Sequence, residues 1–250
     1  MTNAFLPTSL ACFAFYAGCL LSSPLHAQKS GEKTKRDRNA PPTVADFRYG
    51  THERQVFDFW KAESDTATPV VFLIHGGGFL VGDKSKNGRI DWALKAGISV
   101  VAINYRYTSQ AEGIQPPVKA PMMDAARALQ TVRSKAKEWG IDKLRIGATG
   151  GSSGGCMALW LAYHPEQAIP NSPDPIARES TRLWCVAAND AQTTLDPQQM
   201  KEWTPNSVYG GHAFDVADDP SHKISSFERF LAQRETLLPW ISEFSPYALA

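Results

Sequence analysis

Cysteine is scarce in this chain, charge of one sign does not accumulate, and no apolar run reaches the length of a bilayer span. Four cysteines occur in 250 residues, and Cys12 and Cys19 both lie in the N-terminal apolar stretch. The remaining pair, Cys156 and Cys185, falls in apolar runs, where a free thiol behaves as a small hydrophobe. A disulfide framework and a zinc site are therefore not expected, since no Cys/His spacing suits either. The formal net charge is +1, and the single basic run, Lys33 to Arg38, reads as a solvated linker. A nucleic-acid partner, which calls for a basic face or stripe, is not expected. The first residues also lack a Lys or Arg, although Phe5 to Leu21 is mostly apolar and uncharged.

That stretch is too short for a bilayer span of about 20 residues. Small residues follow it, up to Ala27 in Leu25-His26-Ala27-Gln28, so residues 1–27 read as a cleaved export signal and the chain as periplasmic or secreted. Tyr16-Ala17-Gly18-Cys19 approximates a lipoprotein box, a lesser alternative. Residues 28–43 have no apolar period and read as a linker, leaving 44–250 for one folded domain. With 43% apolar and 20% charged residues, such a domain can bury a substantial core.

Strand and helix signals alternate through it. Phe47–Tyr49 and Gln55–Trp60 alternate as half-buried strands, with Gly50-Thr51-His52 between them. Pro69–Ile74 and Ile98–Asn104 are continuous apolar runs, as in central strands covered on both faces. Leu144–Ala148 and Leu183–Ala188 are further strands. Helices are expected near Asn87–Ala96, Pro121–Trp139, Ser153–His164 and Phe227–Leu238. The pattern predicts an α/β fold: a mostly parallel sheet with helices on both faces and ligands beyond the carboxyl ends of the strands.

Two glycine-rich loops fall at those ends. Thr149-Gly150-Gly151-Ser152-Ser153-Gly154-Gly155 joins a strand to a helix and contains Gly-x-Ser-x-Gly, the nucleophile elbow. Its turn is too sharp for side chains at the flanks, and it presents the serine at a helix start whose dipole favours negative charge. Registers centred on Ser152 and on Ser153 both fit. Ser152 is favoured, because the strand then ends just before the elbow and Gly155 packs the helix on the sheet. Ser153 then offers its backbone N–H to an oxyanion. A phosphate-binding P-loop is excluded, because no Lys follows the glycines.

About 74 residues earlier, the strand at Pro69–Ile74 ends in His75-Gly76-Gly77-Gly78-Phe79. Three successive glycines are costly in chain entropy. They are explained if the backbone must turn its amides toward a carbonyl that becomes an anion. His75 lies on the wrong side to act as the base and reads as an anchor for the loop.

The stretch from about Val70 to Ala162 resembles the hormone-sensitive-lipase-like esterases of the α/β-hydrolase superfamily. The two loops carry the resemblance, with Asn104-Tyr105-Arg106, Pro117 and Asp124. It implies short-chain acyl or acetyl esters as substrates, small or carbohydrate-linked, and no cofactor or metal. It also implies Ser152 as nucleophile and the amides of Gly77, Gly78 and Ser153 as oxyanion donors.

The partners of the serine are harder to place. In this fold the order is Ser, then Asp or Glu, then His. His26 leaves with the signal, His52 sits in an early turn, and His164 closes the helix far from the elbow. His212 and His222 fall after the last strand and read as surface or cap residues. Asp190 follows that strand, a position suited to the acid, yet without its histidine. The triad acid and histidine are therefore expected to be absent, and the last two strands of the fold missing. This leaves three readings: a serine ester hydrolase, a catalytically silent incomplete one, or a serine peptidase on the same fold. Trp184, Trp203, Tyr209 and Phe214 are aromatics near the site that read as core or as pocket lining.

Overall fold

Runs of β-branched and aromatic residues form six strands, because such side chains pack well on a pleated, buried surface. The computed structural model describes residues 40–86, 88, 90–206, 209–217, 221 and 225–250. The stretch 1–27 read from the sequence as an export signal, with its His26, residues 28–39 of the expected linker, and His222 lie outside the described residues. In chain order the elements are β1 (Val44–Arg48), β2 (Val56–Trp60), β3 (Thr68–Ile74), α1 (Asp91–Lys95), β4 (Ser99–Ile103), α2 (Lys119–Ser134) and α3 (Ala136–Trp139). Then follow β5 (Ile141–Gly151), α4 (Ser153–Tyr163), β6 (Cys185–Asn189), α5 (Pro197–Trp203), α6 (Ser226–Phe244) and α7 (Pro246–Leu249).

The sheet order is β1-β2-β4-β3-β5-β6. β1 and β2 pair antiparallel, as do β2 and β4, and the other neighbours are parallel. The mostly parallel α/β sheet expected from the sequence is present. From β3 the chain passes to β4 on one side and then to β5 on the other. The strand order thus reverses at β3, and a crevice opens at such a point beyond the carboxyl ends of the strands. Both glycine-rich loops sit there, one after β3 and one after β5.

Burial departs from the sequence pattern in three places. β2 reads as alternating, yet all five of its residues are buried. β3 reads as covered on both faces, yet Val71 and Leu73 are only half-buried. The apolar run at β6 is the least covered: Cys185 is exposed and Trp184 beside it is 66% exposed. Cys185 is therefore no core thiol, whereas Cys156 is fully buried. Strand order explains the last case, since β6 is the sheet edge and only one neighbour shields it.

The helix expected over Pro121–Trp139 breaks at Lys135 into α2 and α3. Beyond the break, the Trp139 ring stacks on Phe59 at 4.5 Å and meets Phe57 edge-on at 5.8 Å. Gly140 closes α3 in the left-handed conformation with φ 59°, as a C-terminal glycine does.

One buried ion pair ties the first crossover to the sheet. Asp124 on α2 is 1% exposed and accepts from Arg106 Nη2 at 2.7 Å, Arg106 Nε at 3.0 Å, the Arg106 amide at 2.9 Å and Gln55 Nε2 at 2.7 Å. Breaking a buried pair by deleting one partner strands the other charge. Asp124→Ala is expected to lose about 3–5 kcal/mol of stability. A urea midpoint within error of the parent would disprove this.

Candidate active site

A serine hydroxyl reacts poorly unless the backbone places it in the open beside donors for the developing anion. Ser152 joins β5 to α4 with φ 53° and ψ −125°, a conformation costing on the order of 1–3 kcal/mol for a residue with a Cβ. Its amide donates to Asn189 O at 3.0 Å, which fixes the end of β5 against the end of β6. Ser152 is half-buried and lines a cleft of about 770 Å³ with Gly76, Asp83 and Asp190. Ser153 is the first residue of α4, with no accessible surface and a hydroxyl that has no hydrogen-bond partner.

The glycines around Ser152 divide by the space left for a side chain. A Cβ on Gly150 would stand 2.5 Å from Ile74 O, and one on Gly154 would stand 2.2 Å from Ile74 O and 2.6 Å from His75 O. Gly151 has room, its nearest neighbour being Asn189 O at 3.7 Å. Gly150 and Gly154 thus bracket Ser152 symmetrically, and Gly155 is crowded as well, its Cβ position 2.8 Å from Ala191 Cβ and 2.9 Å from Gly150 O. In the alternative register the first flank, Gly151, has no such need.

The loop after β3 lies against this elbow: a Cβ on Gly76 would sit 2.8 Å from Gly151 O and 3.5 Å from Ser152 Cβ. Gly77 and Gly78 have φ 118° and 64°, which glycine tolerates best. Among the described residues, the amides of Gly77, Gly78 and Ser153 donate to no other group. Phe79 also takes a positive φ, 61°, and is completely buried, so its ring pins the loop to the core.

His75 anchors the loop and stands apart from the reacting centre. Its Nδ1 meets Gly76 O at 2.7 Å and its ring stacks on Tyr105 at 4.2 Å. Because a carbonyl only accepts, Nδ1 carries the proton, and Nε2 then accepts from Arg54 Nη2 at 3.3 Å. Burial, with the Arg54 charge adding to it, lowers the His75 pKa from 6.5 to about 4. Arg54 also donates to Gly82 O at 3.2 Å and lies over the Tyr107 ring at 3.9 Å. Tyr105 donates to His75 O at 2.8 Å. Asn104 donates to Asp83 at 2.8 Å, and the Lys84 amide donates to Asn104 Oδ1 at 2.7 Å. The triplet Asn104–Arg106 therefore serves the loop and the buried ion pair.

The other histidines scatter. His164 is half-buried at the far end of α4 against the Trp160 ring, with Nδ1 on Pro165 O at 2.9 Å. His52 accepts from the Arg54 amide in the turn before β2. His212, in a 3-10 turn at Gly211–Phe214, reaches the loop itself, with Nε2 2.8 Å from Gly78 O. Among the described residues no imidazole hydrogen-bonds to Ser152. Asp190 has φ 46°, is exposed, and pairs with no histidine among the described residues. Of the four aromatics noted in the sequence, Trp203 and Tyr209 line a second cavity of about 480 Å³ with Asp190 and Gln192. Phe214 is core and Trp184 is on the outer edge. The contact of His212 with the loop carried no sequence signal, because 134 positions separate it from Gly78. Among the described residues no group of three or more His, Cys, Asp or Glu is arranged to hold a metal ion, and no helix is long and apolar enough to cross a membrane.

A mostly parallel sheet with a positive-φ serine after β5 and a glycine loop after β3 is the architecture of an α/β-hydrolase. The BD-FAE family profile matches residues 58–207, and the chain belongs to that family. Among curated relatives, the ethyl acetate hydrolase of Pseudomonas putida is 34% identical over 156 residues, 56% of this chain and 48% of that protein. The probable carboxylic ester hydrolase LipM of Mycobacterium tuberculosis is 31% identical over 126 residues, 48% of this chain and 28% of that protein. The chain thus spans half or less of the length of these relatives. Solved structures share the fold. A truncated carbohydrate esterase from gut microbiota superposes with a TM-score of 0.62 at 23% identity, covering 83% of this chain and 72% of its own. An acetyl ester-xyloside bifunctional hydrolase from Caldicellulosiruptor lactoaceticus gives 0.52 at 24% identity, covering 69% and 60%.

Two measurements check this geometry. Gly154→Ala forces a methyl group onto two carbonyls and is expected to cost about 3 kcal/mol, whereas Gly151→Ala stays within about 1 kcal/mol. Equal urea midpoints for the two variants would refute the packing argument. His75 is neutral in the folded chain and binds a proton more readily when unfolded. Its contribution is complete above pH 6.5 and is lost as pH falls from 6.5 toward 4, a loss of about 3 kcal/mol. Urea titrations across that window should show a steeper pH dependence for the parent than for His75→Asn.

Proposed function

We propose that this chain carries the nucleophile and oxyanion site of a carboxylic ester hydrolase working through an acyl-enzyme. The carrying observation is the strained Ser152 beside a loop whose Gly77 and Gly78 amides donate to nothing else. Ser152 Oγ attacks the ester carbonyl, and the amides of Gly77, Gly78 and Ser153 donate hydrogen bonds to its oxygen as negative charge builds there. Collapse of the tetrahedral adduct breaks the ester C–O bond and the alcohol leaves with the proton given up by Ser152; water then attacks the acyl-enzyme, freeing the acid and returning a proton to the serine. The start of α4 adds a favourable dipole for the anion.

Small acetyl or short-chain acyl esters are the substrates we infer, including carbohydrate-linked ones. The names of the relatives support this class, and the cavity of about 480 Å³ beside Asp190 offers room for the group attached to the ester. The apolar Phe5–Leu21 segment supports export of the chain.

Deprotonating Ser152 calls for a base, and here one observation favours a second reading. His75 and His212 are both engaged on loop carbonyls, and no described imidazole meets Ser152. A chain limited to these residues holds the site without turning it over.

Hydrolysis of an activated acetyl ester by the 28–250 chain, beside Ser152→Ala, decides between the two. The ester-hydrolase reading expects turnover that Ser152→Ala lowers by several orders of magnitude. Equal rates for parent and variant would leave the second reading standing.

A further inference from the structure

Two residues of the segment after β6 reach Gly78 of the oxyanion loop. His212 Nε2 lies 2.8 Å from Gly78 O. A carbonyl accepts only, so Nε2 carries the proton and the imidazole is the donor. Burial lowers the His212 pKa, consistent with a neutral ring in this place. The Tyr209 hydroxyl stands 2.5 Å from where a Cβ on Gly78 would be. That hydroxyl is buried, with the Gln192 side chain as a polar neighbour. The two rings meet edge to face, 4.8 Å apart at 69°. Their turn is tied down in its own right, because the Val118 amide donates to Ala213 O at 3.0 Å and Phe214 stacks on Phe230 of α6 at 5.2 Å.

We propose that Tyr209 and His212 are positioning residues that clamp Gly78, so that the segment after β6 sets the direction of the oxyanion donors. Gly78 has φ 64° and no side chain of its own to hold it. Its carbonyl belongs to one peptide plane and its amide to the preceding one, and with no Cβ the rotation between them is soft. Fixing the carbonyl through His212, while the Tyr209 ring fills the space over the α-carbon, restrains that rotation. Tyr209 also lines the cavity of about 480 Å³, so one ring borders both the place for the substrate's attached group and the oxyanion loop. Neither residue hydrogen-bonds to Ser152, and the clamp acts on the reaction through Gly78.

The rate effect rests on the proposed ester hydrolysis, whereas the clamp itself is readable without it. The test compares the 28–250 chain with His212→Phe, His212→Gln and Tyr209→Phe. His212→Phe should move the Gly78 carbonyl carbon resonance upfield and shift the Gly77 and Gly78 amides, leaving the remote Gly97 and Gly140 amides in place. His212→Gln, which keeps an N–H at a similar reach, should restore much of the parent pattern. Tyr209→Phe removes only the hydroxyl, keeps the ring over Gly78, and should leave the carbonyl bond intact. On an activated acetyl ester, His212→Phe should lower kcat by about 10- to 100-fold with KM little changed, the scale expected for a small misplacement of a catalytic group. Gly77 and Gly78 resonances that stay unmoved in a folded His212→Phe chain would overturn the clamp. A parent chain no faster than Ser152→Ala, with the resonances moving as described, would sink the ester-hydrolase reading and leave the clamp standing.

Discussion

The site depends on two backbone segments approaching more closely than any side chain permits. The end of β3 and the elbow after β5 touch through Gly150, Gly154 and Gly76, with carbonyls of Ile74, His75 and Gly151 where Cβ atoms would otherwise be. Glycine at these positions costs chain entropy in the unfolded state. The contact sets a positive-φ serine beside a row of free amides, and the order of strands places both at the reversal point of the sheet. Once those backbones meet, little freedom remains for Ser152.

The surroundings hold the loop by spending polar groups on carbonyls. His75 meets Gly76 O, Tyr105 meets His75 O, Arg54 and Tyr107 meet Gly82 O, and His212 meets Gly78 O. A loop whose carbonyls are engaged from behind keeps its amides for the reaction side. This arrangement also explains why the two imidazoles on the loop are unsuited to act as the base for Ser152 in this geometry. Their protons are directed to backbone oxygens, and burial keeps both rings neutral.

Sequence patterns served the strands well and their coverage poorly. Apolar runs located β3, β4, β5 and β6, because β-branched residues declare a pleated surface whatever lies beyond it. They did not show that β2 is enclosed on both faces, that β3 is open at Val71 and Leu73, or that Cys185 and Trp184 lie exposed. Coverage depends on which elements end up adjacent, and a local window carries no record of that. The break at Lys135 has the same origin. Helical spacing continues through it, while packing of Trp139 on Phe59 favours a turned last segment.

The sequence by itself determined the class of fold and the two glycine loops. Those features rest on short-range steric rules: which residues tolerate a sharp turn, and which backbones need to approach without a Cβ. Only the tertiary structure decided what holds the loop in place, because Arg54, Tyr105, Tyr209 and His212 reach it from distant parts of the chain. The role of Asp124 in joining α2 to Arg106 and Gln55 likewise appears only once the crossover is closed. Long-range hydrogen bonds are set by the geometry of the folded sheet, and residue identity alone does not say which carbonyl an imidazole will find.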